Sequence, residues 1–457
     1  MIDLVHLTHI MTPTTRPWTY DLKCASPDIL RAFSLMFHDP ESDELASLLK
    51  KSNLTNKKWK CGPHVHSILK YTAGTLKCDE LQTLGLLRSV VLDQHGKIMA
   101  FSPPKCVANG QFSDDSVMVE ELVEGTMINV FYHRPNGQDD GAGWELATKS
   151  CVGANIVFHS VQPRLVQAQE PAQEPAQEPA QEPAQEPAQE PAQEPKKTFR
   201  RMFLECMNDA DLNFDALQTD CSYSFVMQHP NNHIVRRITK PALYLIAVYK
   251  VDNEALVVEE QCRDEHLAQI NASANQCTSV RLPLQFTDVG LSVLKEIYTS
   301  LNAPYDFPGL VCREISTGVR FKHRNPNYER IKNLHGSEPK LQFQYLSLRQ
   351  QGKVKEYLQL HPEHRDAFQK SKDQLHDYTN QLFANYIGCY VKKERPFTEY
   401  PAEFKTHMFR LHELYLKELR ENKEHITLGK TIAYMNGLPP SHQIYALNYG
   451  VRKACLE

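Results

Sequence analysis

Short runs of apolar residues, many of them alternating with polar ones, occur along the chain up to about residue 330. Runs of this kind predict β-strands, and the clearest six are Ser89–Leu92, Lys97–Phe101, Thr126–Tyr132, Trp144–Thr148, Tyr223–Gln228 and Ala242–Val251. A longer amphipathic run, Phe199–Met207, predicts a helix between two of these strands. Strands and helices mixed in this way indicate an α+β domain with antiparallel sheets.

The spacing of the apolar residues changes after about residue 340. Apolar side chains then recur every three or four residues in two stretches, which are Phe368, Leu375, Tyr378, Leu382 and Tyr386, and Phe404, Met408, Leu411, Tyr415 and Leu419. These stripes predict amphipathic helices, and Pro396 and Pro401 separate them. We therefore predict an all-helical C-terminal domain at 336–457. It follows an α+β domain at 80–335 whose N-terminal region is 1–79.

Residues 168–195 are seven consecutive Ala-Gln-Glu-Pro units. Proline at every fourth residue blocks both helix and sheet, and the unit offers no side chains that could build a core. We predict a disordered or polyproline-like insert at 167–196. It interrupts the α+β domain, because strand-like runs lie on both sides of it. We interpret the insert as a spacer, and docking of a protein partner on it stays open.

The net charge of −4 includes the seven glutamates of the repeat, so the rest of the chain carries about +3. Hydrophobic residues make up 41% and charged residues 23% of the chain, which is typical of globular proteins. The most apolar run, around Leu243–Val248, is too short to cross a bilayer. The N-terminal residues lack the pattern of a secretory signal. We expect a cytoplasmic protein that is neither secreted nor inserted in a membrane.

Two histidine pairs raise the question of a metal site. His64 and His66 form an H-x-H pair, and His361 and His364 flank Pro362–Glu363. Neither pair has a third ligand that the sequence places beside it, so we predict no metal site. The sequence also lacks the patterns of dinucleotide-binding, P-loop and serine-hydrolase sites.

Candidate chemistry lies in four segments, which are LLRSVVLDQHGKIMAFSPPKC (86–106), EELVEGTMINVFYHRPNG to GWELATKS (120–150), YSFVMQHPNNHIVRR (223–237) and GLVCREISTGVRFKHRNPNY (309–328). Three of them read as strand pairs whose ends carry cations, namely Arg88, Lys105, Lys149, Arg320, Lys322 and Arg324. One cation at a strand end is usually a solvated surface charge. Only the complete set indicates a site.

Together these segments resemble the phage-type RNA ligases of the tRNA-repair kind. They are most similar to uncharacterised RNA-ligase-like proteins of large DNA viruses. The phage-type RNA ligases have an R-G strand hairpin that ends in lysine, followed by the motifs K-x-D-G, F-E-F, E-G and K-x-K. The resemblance covers roughly residues 75–330. It implies an RNA-ligase-type nucleotidyltransferase fold, a viral source and a location in the host cytoplasm.

The cations of these motifs have counterparts in this chain. Arg88 resembles the arginine of the R-G strand, and Lys105 resembles the hairpin lysine that contacts nucleotide phosphate. Lys149 resembles the lysine on the strand after K-x-D-G. Lys322 and Arg324 resemble the two cations of K-x-K. The resemblance therefore implies a phosphate-binding cleft built from these five residues.

The nucleophile and the carboxylates of the family are missing at the matching positions. Gly125 matches the glycine of K-x-D-G and Glu124 replaces its aspartate, which puts Leu122 at the position of the nucleophilic lysine. Ser224 replaces the glutamate of F-E-F, and Pro308 replaces that of E-G. In the family, the lysine attacks the α-phosphate of ATP, while the glutamates help to position the adenosine, the metal and the lysine. Leucine, serine and proline cannot perform these roles.

We therefore expect an RNA-ligase-like protein that binds RNA or a nucleotide through Arg88, Lys105, Lys149, Lys322 and Arg324, without nucleotidyl transfer. Two alternatives stay open. The first is an active ATP-dependent RNA ligase that uses Mg²⁺ and has a displaced nucleophile, for which Lys105 is the candidate. The second is a scaffold protein whose cleft is vestigial. Whether the chain is an enzyme is thus undecided at this stage.

Overall fold

The computed structural model describes residues 18–24, 27–62, 64–107, 116–134, 142–157, 197–232, 234–273, 279–287, 289–336 and 340–454. The repeat insert predicted at 167–196 lies outside these residues. The chain divides into two compact units, Met1–Ile331 and Lys332–Glu457, whereas the sequence pattern placed the division between 335 and 336. None of the described helices is long and apolar enough to cross a membrane.

The first unit contains three antiparallel sheets. Their strands are β1 (Thr19–Asp21), β2 (Leu54–Cys61), β3 (His64–Tyr71), β4 (Val90–Leu92), β5 (Ile98–Phe101), β6 (Val117–Glu121), β7 (Thr126–His133), β8 (Gly143–Thr148), β9 (Cys221–Gln228), β10 (Ala242–Asp252), β11 (Val257–Gln261), β12 (Gln285–Phe286), β13 (Gly309–Glu314) and β14 (Arg320–Arg324). The central sheet has the order β1-β11-β10-β9-β7-β8. The other two have the orders β2-β3-β4-β5 and β12-β6-β13-β14.

Helices connect these strands and cover the sheets. They are α1 (Pro27–His38), α2 (Asp43–Lys51), α3 (Phe199–Asp209), α4 (Arg263–Ser273), α5 (Leu291–Thr299) and α6 (Pro326–His335). The helix α3 begins at the cap residue Thr198, whose side chain accepts a hydrogen bond from the amide of Arg201. Its apolar side, including Met202, Phe203 and Cys206, packs on one face of the central sheet.

The opposite face of the central sheet packs against the sheet β2-β3-β4-β5. Phe131 of β7 shares a buried cluster with Ile68 and Val91, and Tyr249 of β10 shares another with Phe101. Over Ala242–Val248, the central strand β10 is therefore apolar on both faces, whereas one face of β9 carries serines. Burial on both faces explains why the sequence of β10 is a long hydrophobic run instead of a simple alternation.

The sheet β12-β6-β13-β14 buries only one face in an apolar core. Val119, Leu310, Cys312 and Phe321 pack there against Leu291 and Leu294 of α5. Successive side chains of a strand point to opposite faces. The intervening residues of β6, β13 and β14 therefore project to the other face, which carries Glu120, Arg313, Arg320 and Lys322.

The second unit is helical, as the apolar stripes predicted. Its helices are α7 (Leu341–Gln350), α8 (Val354–Leu360), α9 (Arg365–Tyr386), α10 (Ala402–Leu414), α11 (Leu428–Gly437), α12 (Pro440–Leu447) and α13 (Tyr449–Ala454). The stripe residues of α9 and α10 lie in one core cluster, and Tyr415 packs partly buried against it. Single π-helical turns, Ile387–Val391 and Tyr415–Leu419, extend α9 and α10.

Candidate functional site

The face of the sheet β12-β6-β13-β14 that is turned away from α5 is strongly charged. Glu120 of β6 pairs in register with Val311 of β13, which pairs with Lys322 of β14. Two residues further along the same strands, Arg313 of β13 pairs with Arg320 of β14. Residues directly opposite each other in an antiparallel pair lie on one face. One surface therefore collects Glu120, Arg313, Arg320 and Lys322.

The segment Pro103–Val107 connects this face to the hairpin of β4 and β5. The amide of Lys105 donates to the carbonyl of Gly85 at 3.0 Å, and the amide of Val107 donates to the carbonyl of Arg320 at 2.8 Å. The guanidinium of Arg88 donates to the carbonyl of Pro103 at 3.4 Å. The two stiff prolines thus hold a lysine between two arginines that are far apart in sequence.

Five cations gather here, and we call Arg88, Lys105, Lys149, Arg320 and Lys322 the cation cluster. Burial, together with repulsion by Arg320 and Arg88, lowers the pKa of Lys322 to about 8. Burial and then Arg320 also lower the pKa of Arg88. Partial burial, then Arg88 and Lys105 among others, lower the pKa of Lys149. The positive charges of the cluster therefore repel one another, which is unfavourable in the free protein.

The cluster has an exposed rim and a buried floor. Lys105 and Lys149 are exposed, Arg88 and Lys322 are half-buried, and Arg320 is buried. Within the part of the chain that the structure describes, none of the five forms an ion pair with a carboxylate. The Nε of Arg320 is buried without a hydrogen-bond partner. A buried donor without an acceptor is unfavourable, and an oxygen of a bound anion would satisfy it.

Arg324, the fifth cation predicted from the sequence, lies at the edge of this group. Its guanidinium forms an ion pair with Glu329 on α6, and its side chain is 49% exposed. It still contributes to the lowered pKa of Lys322. Arg320 and Lys322, which alternate along β14, therefore lie nearest the buried floor of the cluster. A direct role for Arg324 stays a prediction.

The predicted nucleophile position, Leu122, lies directly after β6. Its amide donates to the carbonyl of Gly309 at 2.8 Å, and its side chain is half-buried. Gly125, three residues later, has φ +147°, and a Cβ there would come within 2.4 Å of the carbonyl oxygen of Met227. Only glycine fits this crossing from the β6 sheet to the central sheet. The connection therefore requires glycine at position 125, and Leu122 lies at its start.

Glu124 has a structural role in this connection. Its carboxylate is buried and accepts hydrogen bonds from the backbone amides of Ile234, Val235 and Arg236, at 3.0 to 3.3 Å. The phenol of Tyr328 also hydrogen-bonds to it. A carboxylate with this many donors is satisfied where it lies. It is therefore not available to ligate a metal.

The first lost carboxylate position, Ser224, belongs to a neutral buried chain of hydrogen bonds. Ser224 Oγ donates to Asn129 Oδ1 at 2.8 Å, and Asn129 Nδ2 donates to Ser102 Oγ at 2.7 Å. Val226 lies two residues further on the same face of β9. A Cβ on Gly125 would come within 2.7 Å of its Cγ1. Both positions of β9 on this face are therefore uncharged.

The second lost carboxylate position, Pro308, is buried just before β13. Its carbonyl accepts the amide of Asn325 at 3.1 Å. The next residue, Gly309, has φ +132°, and a Cβ there would meet the carbonyl of His323 at 2.2 Å. The glycine of the predicted E-G pair is thus required by close backbone packing, while the position before it carries no charge.

Two buried ion pairs join this charged face to neighbouring elements. Glu120 pairs with Arg263 at the start of α4, and Arg313 pairs with Glu260 of β11 at 2.7 Å. Although burial raises it, Arg263 holds the pKa of Glu120 below its ordinary value. Tyr20 donates a further hydrogen bond to Glu260 at 2.9 Å. Arginines therefore occupy both carboxylates nearest the cluster.

A cavity of about 240 Å³ adjoins the cluster. Its lining includes Lys105 and Arg320 together with Tyr20, Gln82 and Pro104. A shallower depression of about 600 Å³ lies along α3 and includes Arg200 and Glu205, but no residue of the cluster. The smaller cavity is the better candidate for a phosphate site, because Lys105 and Arg320 line it and neither pairs with a carboxylate among the described residues.

Sequence reasoning missed several residues of this site. Arg320 was named from the sequence as a strand-end cation but was not assigned to the site, although it alternates with Lys322 on a strand and so shares its face. The pairing of Arg313 with Glu260 had no local signal, because the partners are 53 residues apart. The contact of Val226 with Gly125 depends on two strands that meet only in the fold.

Comparison with solved structures shows a distant likeness to an RNA ligase. No family model matches the chain, and no curated protein matches it. Among solved structures, an RNA ligase of Naegleria gruberi, a lysine-to-alanine mutant with ATP and Mn, is similar with a TM-score of 0.28 and 11% sequence identity. The similarity covers 48% of this chain and 51% of that one, so it spans about half of each. A likeness this distant assigns no role to any residue.

Proposed function

We propose that this protein binds the phosphates of RNA or of a nucleotide at the cation cluster, without transferring a nucleotidyl group. The cluster of unpaired cations carries the proposal. Desolvation and repulsion make such a cluster unfavourable in the free protein, as the lowered pKa of Lys322 records. A bound phosphate would relieve both effects. Arginine also fits phosphate oxygens through its planar, two-pronged donor set.

The same residues do not support catalysis. Leu122 offers no nucleophile, and Ser224 and Pro308 offer no carboxylate. Mg²⁺ prefers oxygen ligands from carboxylates, but arginines pair with Glu120 and Glu260. The residues present therefore fit the phosphate groups of ATP and do not fit a catalytic Mg²⁺ ion. Removing the nucleophile from a group of residues that act together normally abolishes the reaction.

Binding is tested by titrating single-stranded RNA with a 5′-phosphate, the same RNA without it, and ATP. Lys322→Met and Lys149→Ala should each weaken binding about tenfold, and binding should weaken as salt rises. Lys250→Met, which removes an exposed lysine paired with Asp220, is the matched control and should bind like wild type. Because Lys322 is strained in the free protein, Lys322→Met should also unfold at the same temperature or higher.

The outcomes separate the three readings. No binding in any arm at low salt would overturn the proposal and favour a scaffold. Incubation with labelled ATP and Mg²⁺, followed by intact mass measurement, should show no covalent AMP. An adduct that disappears in Lys105→Ala would instead establish an active ligase with a displaced nucleophile. Lys105 as a nucleophile stays a prediction, and its side chain is exposed on the rim of the cluster.

A further inference from the structure

A separate group of metal-ligating side chains lies in the helical unit, at the turn between α8 and α9. A ring nitrogen of His361, a ring nitrogen of His364 and a carboxylate oxygen of Glu363 lie within 4.8 Å of one another. No other group of three histidine, cysteine or acidic residues meets this criterion among the described residues. We propose that His361, Glu363 and His364 bind a zinc ion. This site is independent of the proposed phosphate site.

A hydrogen bond that is longer than usual joins the ligand atoms of His361 and Glu363, and its length also fits two ligands of one metal. His361 Nδ1 and Glu363 Oε1 are 3.3 Å apart. A charge-assisted hydrogen bond between such groups is usually about 2.7–2.9 Å long. Zinc binds nitrogen and oxygen at about 2.0–2.1 Å in tetrahedral geometry, which places two ligand atoms about 3.3 Å apart. The nitrogen and the oxygen therefore already have the spacing of neighbouring zinc ligands.

The two histidine rings are held in place before any metal binds. The phenol of Tyr357, which is fully buried, hydrogen-bonds to His364 Nδ1 at 2.7 Å. The His361 ring is buried against Tyr357, with ring centroids 4.7 Å apart, and the two histidine rings are nearly parallel at 17°. Hydrogen bonds from outside the ligand set orient histidine ligands in many metal sites. Little side-chain freedom would therefore be lost on binding.

The ligand types select zinc over the common hard cations. Two imidazoles and one carboxylate suit Zn²⁺, whereas Ca²⁺ and Mg²⁺ prefer oxygen ligands alone. Glu363 is exposed and His364 half-buried, so water can complete the coordination. The ion would fasten the end of α8 to the start of α9. The histidine pair alone does not predict this site, because Glu363 becomes the third ligand only once the turn is formed.

The test is a titration of the chelator-treated full-length protein with Zn²⁺, and separately with Co²⁺, whose visible spectrum reports its coordination. Wild type should bind one ion at this site, show the visible bands of four-coordinate Co²⁺ and unfold at a higher temperature with Zn²⁺. Glu363→Gln and His364→Ala should weaken binding by about tenfold or more and remove these effects. His376→Ala changes an exposed histidine on α9 and is the matched control.

Each result has a definite meaning. Circular dichroism without metal should show that the variants are folded, and Glu363→Gln changes least because it keeps the shape of the side chain. Zinc binding that is equally strong in wild type and Glu363→Gln would place the ion at other histidines and overturn the proposal. The absence of Co²⁺ bands in wild type would also overturn it. RNA binding by the cation cluster should be unchanged in all of these variants.

Discussion

Within the cation cluster, Lys322 has a pKa that differs strongly from that of a free lysine side chain. Its pKa is about 8 because burial disfavours its charge and Arg320 and Arg88 repel it. A lysine with this pKa is charged at neutral pH and loses its proton only slightly above it. Anion binding at the cluster should therefore depend on pH in a range where ordinary lysines do not titrate.

We predict that RNA and ATP bind more weakly as the pH rises above about 8. A bound phosphate raises the pKa of Lys322, so binding above pH 8 must first take up a proton. The loss should approach at most about tenfold per pH unit. In Lys322→Arg the charge is permanent, so most of this dependence should disappear. Fluorescence titrations at pH 7.5 and 9.5 measure it, and an equal slope in both proteins would contradict this role for Lys322.

The stability of the free protein should change with pH in the opposite direction to phosphate binding. Lys322 has a lower pKa when folded than its ordinary value of 10.5. The unfolded chain therefore binds more protons between about pH 8 and 10.5, and this group makes the folded state more stable as the pH rises through that range. Binding and stability should thus change in opposite directions with pH.

Restoring a lysine at Leu122 should not restore adenylylation. Leu122→Lys supplies an amine at the predicted position, but Ser224 and Pro308 still leave it without the two carboxylates of the family. Intact mass after incubation with ATP and Mg²⁺ should show no AMP adduct. An adduct would mean that the nucleophile alone is missing from the site.

At the scale of strands and sheets, the hydrophobic pattern predicted where strands form better than which residues meet. All six predicted strand runs overlap observed strands, because alternation on a half-buried strand is a local property. The hairpin of β13 and β14 was also visible as a pair of runs. Partners such as Arg313 and Glu260 were not, since alternation gives the face of a side chain but not the strand that comes to lie opposite it.

The buried pair of Arg313 and Glu260 makes a prediction at this scale. Glu260→Gln leaves the guanidinium of Arg313, which stacks 4.2 Å from the ring of Trp18, buried without its counter-charge. We expect a loss of about 3–5 kcal/mol in the free energy of unfolding, measured by chemical denaturation. Asp220→Asn breaks an exposed pair with Lys250 and should cost at most about 1 kcal/mol. Equal losses would contradict a role for this pair in joining the sheets.

At the scale of the whole molecule, the repeat insert lies between two segments that are themselves well paired. Val157 forms a β-bridge with Thr198, and the amide of Phe199 donates to the carbonyl of Ile156 at 2.9 Å. The described residues on the two sides of the insert are therefore neighbours in the structure. The number of residues in the insert can therefore vary without changing the register of β8 or the start of α3.

Replacing residues 160–195 with a short Gly-Ser linker should therefore leave the fold and RNA binding intact. The Val157–Thr198 bridge already brings the two ends together, so a few residues suffice to close the loop. Shortening the connection this much should stabilise the first unit by about 1 kcal/mol, because closing a shorter connection costs less chain entropy on folding. Denaturation and RNA titration of the two proteins side by side provide the measurement. A shortened protein that binds RNA more weakly would show that the Ala-Gln-Glu-Pro units contribute to recognition, and a less stable one would show that they contact the folded unit.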